Sequence, residues 1–373
     1  MLDRKELKEI AQVQDAAACC VSLYLNVSPV TNPKGEFIIQ FKNMVKKTVE
    51  GLDKNTLKII KEDLAKIESY VQGNKRLLKK GLVLLSSRRH DLWRDYHLSV
   101  PVKSELVVDT SFSIKPLLNV LDDYERYAVL LVDKESARIF IIHLGEIVEY
   151  GEVFTPDVPG RHKKGGWFAL SQNHYERHID YHVGLHLKDV VEKFDSFIGG
   201  EQIRRLIIGG SEEAVPMVKG KLHKTVLGNV IGTMKVEMFA KNDEILARSE
   251  EIIRSFERQE ENETVDRLIG QALKNEKAAL GIDDVLHALQ TGNVMRLVYV
   301  ADLNSPGFVC RNCRYPAVHE LKACPFCEGR MDRTDYMIDM AAQRAVEQGA
   351  EVEAVAQNKH LSDAGGIGAF LRF

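Results

Sequence analysis

Two groups of residues in this chain have the types and spacing to do chemistry. The first lies between Pro159 and Leu187, where Arg161, His162, Lys163 and Lys164 run directly into Gly165, Gly166 and Trp167. Glycine reaches backbone angles closed to residues with a Cβ, so a Gly-Gly pair lets the main chain press against a ligand. The four basic or ionisable side chains before it suit a phosphate-rich ligand, and the Trp167 indole offers a flat face for a nucleobase or sugar. A polar surface loop reads the same way locally, so the functional reading draws its weight from the rest of the chain. The second group is Cys310, Cys313, Cys324 and Cys327, spaced C-x2-C-x10-C-x2-C. Two CxxC pairs can set four thiolates around one ion in tetrahedral geometry, which points to a structural Zn2+. With every position taken by protein sulfur, such an ion stabilises an insertion and performs no catalysis.

Other candidates are weaker. His174, His178, His182 and His186 recur every four residues along one helical face. That spacing can chelate a metal, but no HExxH pattern accompanies it, and an RNA-facing stripe or partial burial explains it better. Ser171 lacks a base and an orienting partner, so it is no nucleophile. Gln172 can donate and accept hydrogen bonds but cannot take a proton at neutral pH. The basic runs Lys75, Arg76, Lys79, Lys80 and Arg88, Arg89, His90 read as solvated faces.

The 373 residues are 45% hydrophobic and 28% charged with a net charge of −3, the profile of a globular chain. Nucleic-acid binding would have to rest on local basic patches. No apolar run is long enough to span a bilayer and the N-terminus lacks a signal-peptide core, so the expected location is the cytoplasm, away from membranes. Four of the six cysteines fall in the CxxC pairs; Cys19 and Cys20 sit in an apolar segment and are expected in the core.

The elements that must hold these residues alternate between helix and strand, giving an α/β fold in three expected domains, 1–124, 125–263 and 264–373. In the first, a helix over 2–14 precedes strands at Cys19–Val27, Gly81–Ser86, Leu92–Leu98 and Leu106–Asp109, with helices at Phe37–Gly51 and Asn55–Gln72. Short spacings among Tyr127–Val132, Ala137–His143 and Ile147–Val153 predict antiparallel hairpins. The charged helix Glu244–Glu261 leads into the polar seam QEENETVDR, read as a domain boundary. Beyond it, helix Thr264–Leu280 ends at Gly281, Asp283 caps the helix Asp284–Gln290, Leu297–Ala301 is a strand, and the final GGIGAFLRF forms an edge or core strand.

With these pieces placed, the chain resembles class I peptide chain release factors of the archaeal and eukaryotic type, and more narrowly the bacterial members of that superfamily. The similarity covers nearly the whole chain in order: CCVSLYLNV and GLVLLSS in the first domain, VPGRHKKGGWFAL where the family has its basic loop and Gly-Gly-Gln, then LIIGGS. ALGIDDVLHALQTGNVMRLVYV, the cysteine module, AVEQGAEVEAV and GGIGAFLRF match the third. The resemblance implies an RNase H-like central domain and a C-terminal ribosomal-protein-like α/β/α domain carrying an inserted zinc ribbon. It also implies binding in the ribosomal A site, contact with tRNA and rRNA, and a translational GTPase as a candidate partner. The family activity is hydrolysis of the peptidyl-tRNA ester, with the backbone N–H at the third motif position stabilising transition-state charge. That carries Gly165, Gly166 and Trp167 over as catalytic positions and Arg161, His162, Lys163 and Lys164 as RNA-binding ones.

Two departures shape the expectation. Trp167 stands where the motif has Gln; its backbone donor is kept, and Gln172, about a helical turn further on, is the candidate for the side-chain role. No NIKS sequence or other stop-codon-reading motif is visible in residues 30 to 75. The expected function is therefore a ribosome rescue factor, a peptidyl-tRNA hydrolase independent of stop codons. The alternatives are a non-catalytic ribosome-binding factor and a tRNA-cleaving enzyme using the histidines.

Overall fold

The computed structural model describes residues 2, 4–15, 17–74, 78–154, 185–194 and 203–373, a mixed α/β chain with several sheets. They form two compact units: Met1–Tyr124 together with Arg258–Phe373, and Glu125–Glu257.

The first part of the first unit contains α1 (Arg4–Ala11), β1 (Cys20–Asn26), α2 (Phe37–Gly51), α3 (Lys54–Gly73), β2 (Gly81–Ser87), β3 (Leu92–Leu98), β4 (Glu105–Asp109) and α4 (Lys115–Asp123). The strands make an antiparallel sheet ordered β3-β2-β1-β4. Alternation along β1 and β2 sends Val21, Leu23, Leu25, Leu82 and Leu84 to one face, where Phe41 of α2 and Ile60, Ile67 and Val71 of α3 cover them. Asp53 caps α3 by accepting from the backbone N–H of Asn55 and Thr56. Asp63 sits on the same buried face of α3, and accepts from Ser86 Oγ at 2.5 Å and from the Arg88 backbone N–H at 3.0 Å. A buried carboxylate is tolerated there because it has both partners.

The second unit holds β5 (Tyr127–Val132), β6 (Ser136–His143), β7 (Glu146–Phe154), α5 (residues 185–194), β8 (Leu206–Gly210), α6 (Ala214–Lys219), α7 (Lys224–Leu227), β9 (Val230–Lys235) and α8 (Asn242–Leu273) up to Glu257. The sheet order is β7-β6-β5-β8-β9, with the hairpins β5-β6 and β6-β7 antiparallel and the pairs β5-β8 and β8-β9 parallel. Leu144 and Gly145 both take left-handed angles, φ 49° and 72°, as a two-residue hairpin turn demands. β8 ends in two glycines because there is no room for a side chain: a Cβ on Gly209 would meet Leu131 Cδ2 at 2.5 Å.

The remainder of the first unit runs from Arg258 in α8 through β10 (Ala278–Leu280), α9 (Ile282–Gln290), β11 (Val294–Val300), β12 (Gly307–Cys310), β13 (Pro316–Ala317), β14 (Met331–Thr334), α10 (Met337–Glu347), β15 (Glu351–Val355), α11 (Lys359–Asp363) and β16 (Ile367–Leu371). Its main sheet is ordered β10-β16-β11-β15, with α10 as the crossover between parallel β11 and β15. Three expectations change here. The stretch QEENETVDR, expected to separate the helix Glu244–Glu261 from the one starting at Thr264, is continuous helix within α8, with pairs such as Gln259 to Glu263 at 2.8 Å, and the division between the two units falls just before it, at Glu257/Arg258. The helix expected to Leu280 stops at Leu273, and Ala278–Leu280 is a strand against β16. Gly281, at φ 79°, precedes α9 as its N-cap, and Asp283 makes no cap bond.

Within this unit the two chain segments share a polar seam. Asp339 of α10 is buried and accepts from Ser113 Oγ and, at 3.2 Å, from the Ile114 backbone N–H. Gln343 Nε2 donates to the Ala11 carbonyl at 2.7 Å, and Tyr299 hydroxyl to Asn119 Oδ1 at 2.7 Å.

Candidate metal centre

The four cysteines come together, their sulfurs all within 4.8 Å of one another. Cys310 and Cys327 are 3.4 Å apart, as are Cys313 and Cys324, and all six cysteines of the chain are unbridged. A Zn–S bond of about 2.3 Å implies tetrahedral S–S edges of roughly 3.8 Å, a few tenths of an ångström longer than these two separations and inside the 4.8 Å limit on all of them.

The backbone makes the two CxxC turns equivalent. Cys310 N–H donates to the Tyr315 carbonyl and Arg314 N–H to the Cys310 carbonyl; in the second turn Cys324 N–H donates to Gly329 and Glu328 N–H to Cys324. Arg314 and Glu328, each directly after the second cysteine of its pair, both sit at φ 57° in the left-handed region. This curls backbone N–H groups toward sulfur: Asn312 N–H lies 3.4 Å from Cys310 Sγ and Phe326 N–H 3.5 Å from Cys324 Sγ. Amides aimed at sulfur favour thiolate. Burial pushes the Cys310 thiol up, but the amides of Cys313 and Asn312 and the neighbouring thiols outweigh it and bring it down to about 7. Gly329 keeps the cradle open, since a Cβ there would meet Cys310 Sγ at 2.9 Å. Antiparallel β12, β13 and β14 carry the turns.

The first turn is also tied into the unit. Arg314 Nη2 donates to Ser111 Oγ at 3.0 Å and Gln343 Oε1 at 3.3 Å, while Arg344 Nη1 reaches the Cys313 carbonyl at 3.2 Å. Sequence reasoning misses this bridge, because it joins residues about 200 positions apart.

The expected loop residues Arg161, His162, Lys163, Lys164, Gly165, Gly166, Trp167 and Gln172 lie outside the described residues, as do His174, His178 and His182. His186 is described and fully buried on α5, where desolvation lowers its pKa, so it does not face RNA. Arg88, Arg89 and His90 are not a free basic patch: Arg88 pairs with Glu62, and the other two with Asp15. Among the described residues no helix is long and apolar enough to cross a membrane.

Residues 113–254 match the family described as bacterial archaeo-eukaryotic release factor family 10. Across 100% of this chain and 97% of its own length, peptide chain release factor subunit 1 of Methanocaldococcus jannaschii is 26% identical. Over nearly its whole length the chain is similar to proteins of the archaeo-eukaryotic release factor superfamily. Another superfamily protein, peptide chain release factor subunit 1 of Archaeoglobus fulgidus, is 21% identical over 99% of this chain and 96% of its own. Archaeoglobus fulgidus Pelota aligns over 100% of this chain and 92% of its own at 15% identity, with a TM-score of 0.38. The sequence matches, which run almost end to end, carry this likeness.

Proposed function

We propose that this chain is a ribosome-associated release or rescue factor that hydrolyses the peptidyl-tRNA ester without reading a stop codon. The observation that carries the reading is the near end-to-end similarity to peptide chain release factors, with the family match spanning the Gly165-Gly166 loop. In this reading Arg161, His162, Lys163 and Lys164 meet RNA phosphates, and the two glycines let the main chain approach the tRNA 3′ end in the A site. Water attacks the ester carbonyl; the bond from that carbon to the ribose oxygen breaks, and the ribose oxygen leaves with a proton. The Trp167 backbone N–H stabilises charge developing on the carbonyl oxygen, and Gln172 positions the water. The four cysteines hold a structural Zn2+ that shapes the β12-β14 module and takes no part in the chemistry. Parts 1–124, 125–263 and 264–373 act as decoding-side, catalytic and supporting domains, and a translational GTPase delivers the factor.

Trp167 in place of Gln favours a second reading, in which the protein occupies the A site without chemistry and the indole stacks on a base. Ribosomes carrying labelled peptidyl-tRNA separate the two. Release of free peptide with intact tRNA, lost on Gly166→Val, supports hydrolysis. Retained binding with no release supports the inert factor, and shortened tRNA would point to cleavage instead.

A further inference from the structure

Asp15, Cys19 and His90 lie far from the four-cysteine module in sequence, yet a carboxylate oxygen, a sulfur and an imidazole nitrogen from them fall within 4.8 Å of one another. We propose that these three residues form a separate site for a divalent ion of the zinc class, with its fourth position open to solvent.

Each ligand is placed by backbone bonds that owe nothing to an ion. Asp15 N–H donates to the Thr110 carbonyl at 2.8 Å, and Asp15 Oδ1 accepts from Ala17 N–H at 2.9 Å, which fixes the carboxylate. Cys19 immediately precedes β1, whose first residue, Cys20, pairs with Asp109 of β4. His90 ends a short helical turn, Arg88–His90, held at its start by the Arg88 N–H bond to buried Asp63 and closed by Asp91 at φ 47°. Such preorganisation leaves little entropy to lose on binding. The Ser87 hydroxyl, 3.6 Å from Cys19 Sγ, is placed to donate to a thiolate.

The donor set selects the ion. One sulfur, one nitrogen and one oxygen suit a borderline ion such as Zn2+ and disfavour Mg2+ and Ca2+, which take oxygen. Cys19 is 1% exposed, whereas the His90 side chain keeps 30% of its surface. The sulfur therefore sits at the floor of the site and the imidazole at its mouth, so water can take the remaining position. Binding releases the Cys19 thiol proton to solvent and so strengthens as pH rises. Two contacts compete with an ion for Asp15 Oδ2, Arg89 Nε at 2.9 Å and the His90 Nε2 of the site itself at 3.3 Å; of these Arg89 is the one from outside the ligand set.

The test is metal stoichiometry of the full chain, by equilibrium dialysis against buffered Zn2+ with elemental quantitation, repeated with Co2+ as a spectroscopic probe. His90→Gln, at the surface, should lose one equivalent, with affinity down at least about 100-fold, and keep the fold and the four-cysteine equivalent. Arg89→Gln should bind that equivalent more tightly, a sign that misfolding cannot produce. Cys19→Ser should remove one cobalt–thiolate charge-transfer contribution. If His90→Gln and the unmodified chain bind the same number of ions, or Arg89→Gln weakens binding, the proposal fails, whatever the peptide-release assay shows.

Discussion

At Asp339 a carboxyl has been taken into an interior it shares with Ser113, Ile114, Lys115 and Glu105. Desolvation raises its pKa from 3.8 to about 6, against the opposing pull of the Ser113 and Ile114 hydrogen bonds. A carboxyl that is easier to protonate folded than unfolded contributes most to stability when protonated. The contribution is complete below about pH 4 and is lost as pH rises through about 6. A rise of that size corresponds to roughly 3 kcal/mol. Asparagine can accept from Ile114 N–H and donate to Ser113 Oγ without ever ionising. Urea melts of Asp339→Asn between pH 4 and 7 should therefore show the variant gaining on the unmodified chain by up to that amount as pH rises; a constant difference would contradict the assignment. Gly166→Val belongs to the same scale. Its added side chain blocks close approach of main chain to ester, and peptide release should fall by at least about 100-fold with ribosome binding retained.

At the scale of elements, the first CxxC turn works as a clasp as well as one half of the proposed zinc site. Arg314 leaves that turn for Ser111 and Gln343, and Gln343 goes on to Ala11, so the module touches both segments of the unit. Charge-assisted bonds of this kind contribute about 1.5–3 kcal/mol each. Removing metal with a chelator, or making Arg314→Ala, should speed amide hydrogen exchange at residues 11–14 and 111–114 by roughly tenfold or more, leaving Tyr127–Val132 unchanged. Equal exchange with and without metal would show the turn to be independent of its ion.

The same elements show what the sequence could disclose. β3 and the cysteine spacing are legible because alternation and C-x2-C carry their meaning locally, and β2 runs only one residue further than expected, to Ser87. The break expected between helices Glu244–Glu261 and Thr264–Leu280 is absent from α8: a solvated helix and a linker have the same composition, and only the i,i+4 pairing tells them apart; the division between the units does fall beside this stretch, at Glu257/Arg258. Ala278–Leu280 reads as helix because three small apolar residues become a strand only when β16 arrives to pair with them. Cys19 is buried as its apolar segment predicts, but its meeting with His90, far away in the chain, is made only by the fold.

For the whole molecule, a net charge of −3 means that attraction to RNA has to come from local runs. Under the proposed function, replacing Arg161, Lys163 and Lys164 with alanine should weaken ribosome binding and reduce the slope of log affinity against log salt by roughly two to three. An unchanged slope would remove this stretch from the interface.

β16 sits between β10 and β11, yet it follows every strand of that sheet in the chain. During synthesis β10 and β11 have nothing to join them until Ile367–Leu371 emerges. A polypeptide cut short a dozen residues early would keep all four cysteines but leave two strands with unmet hydrogen-bonding edges, a template for aggregation. This sheet can close only once Ile367–Leu371 has been translated, so a chain broken before it would expose those edges however complete its other elements were.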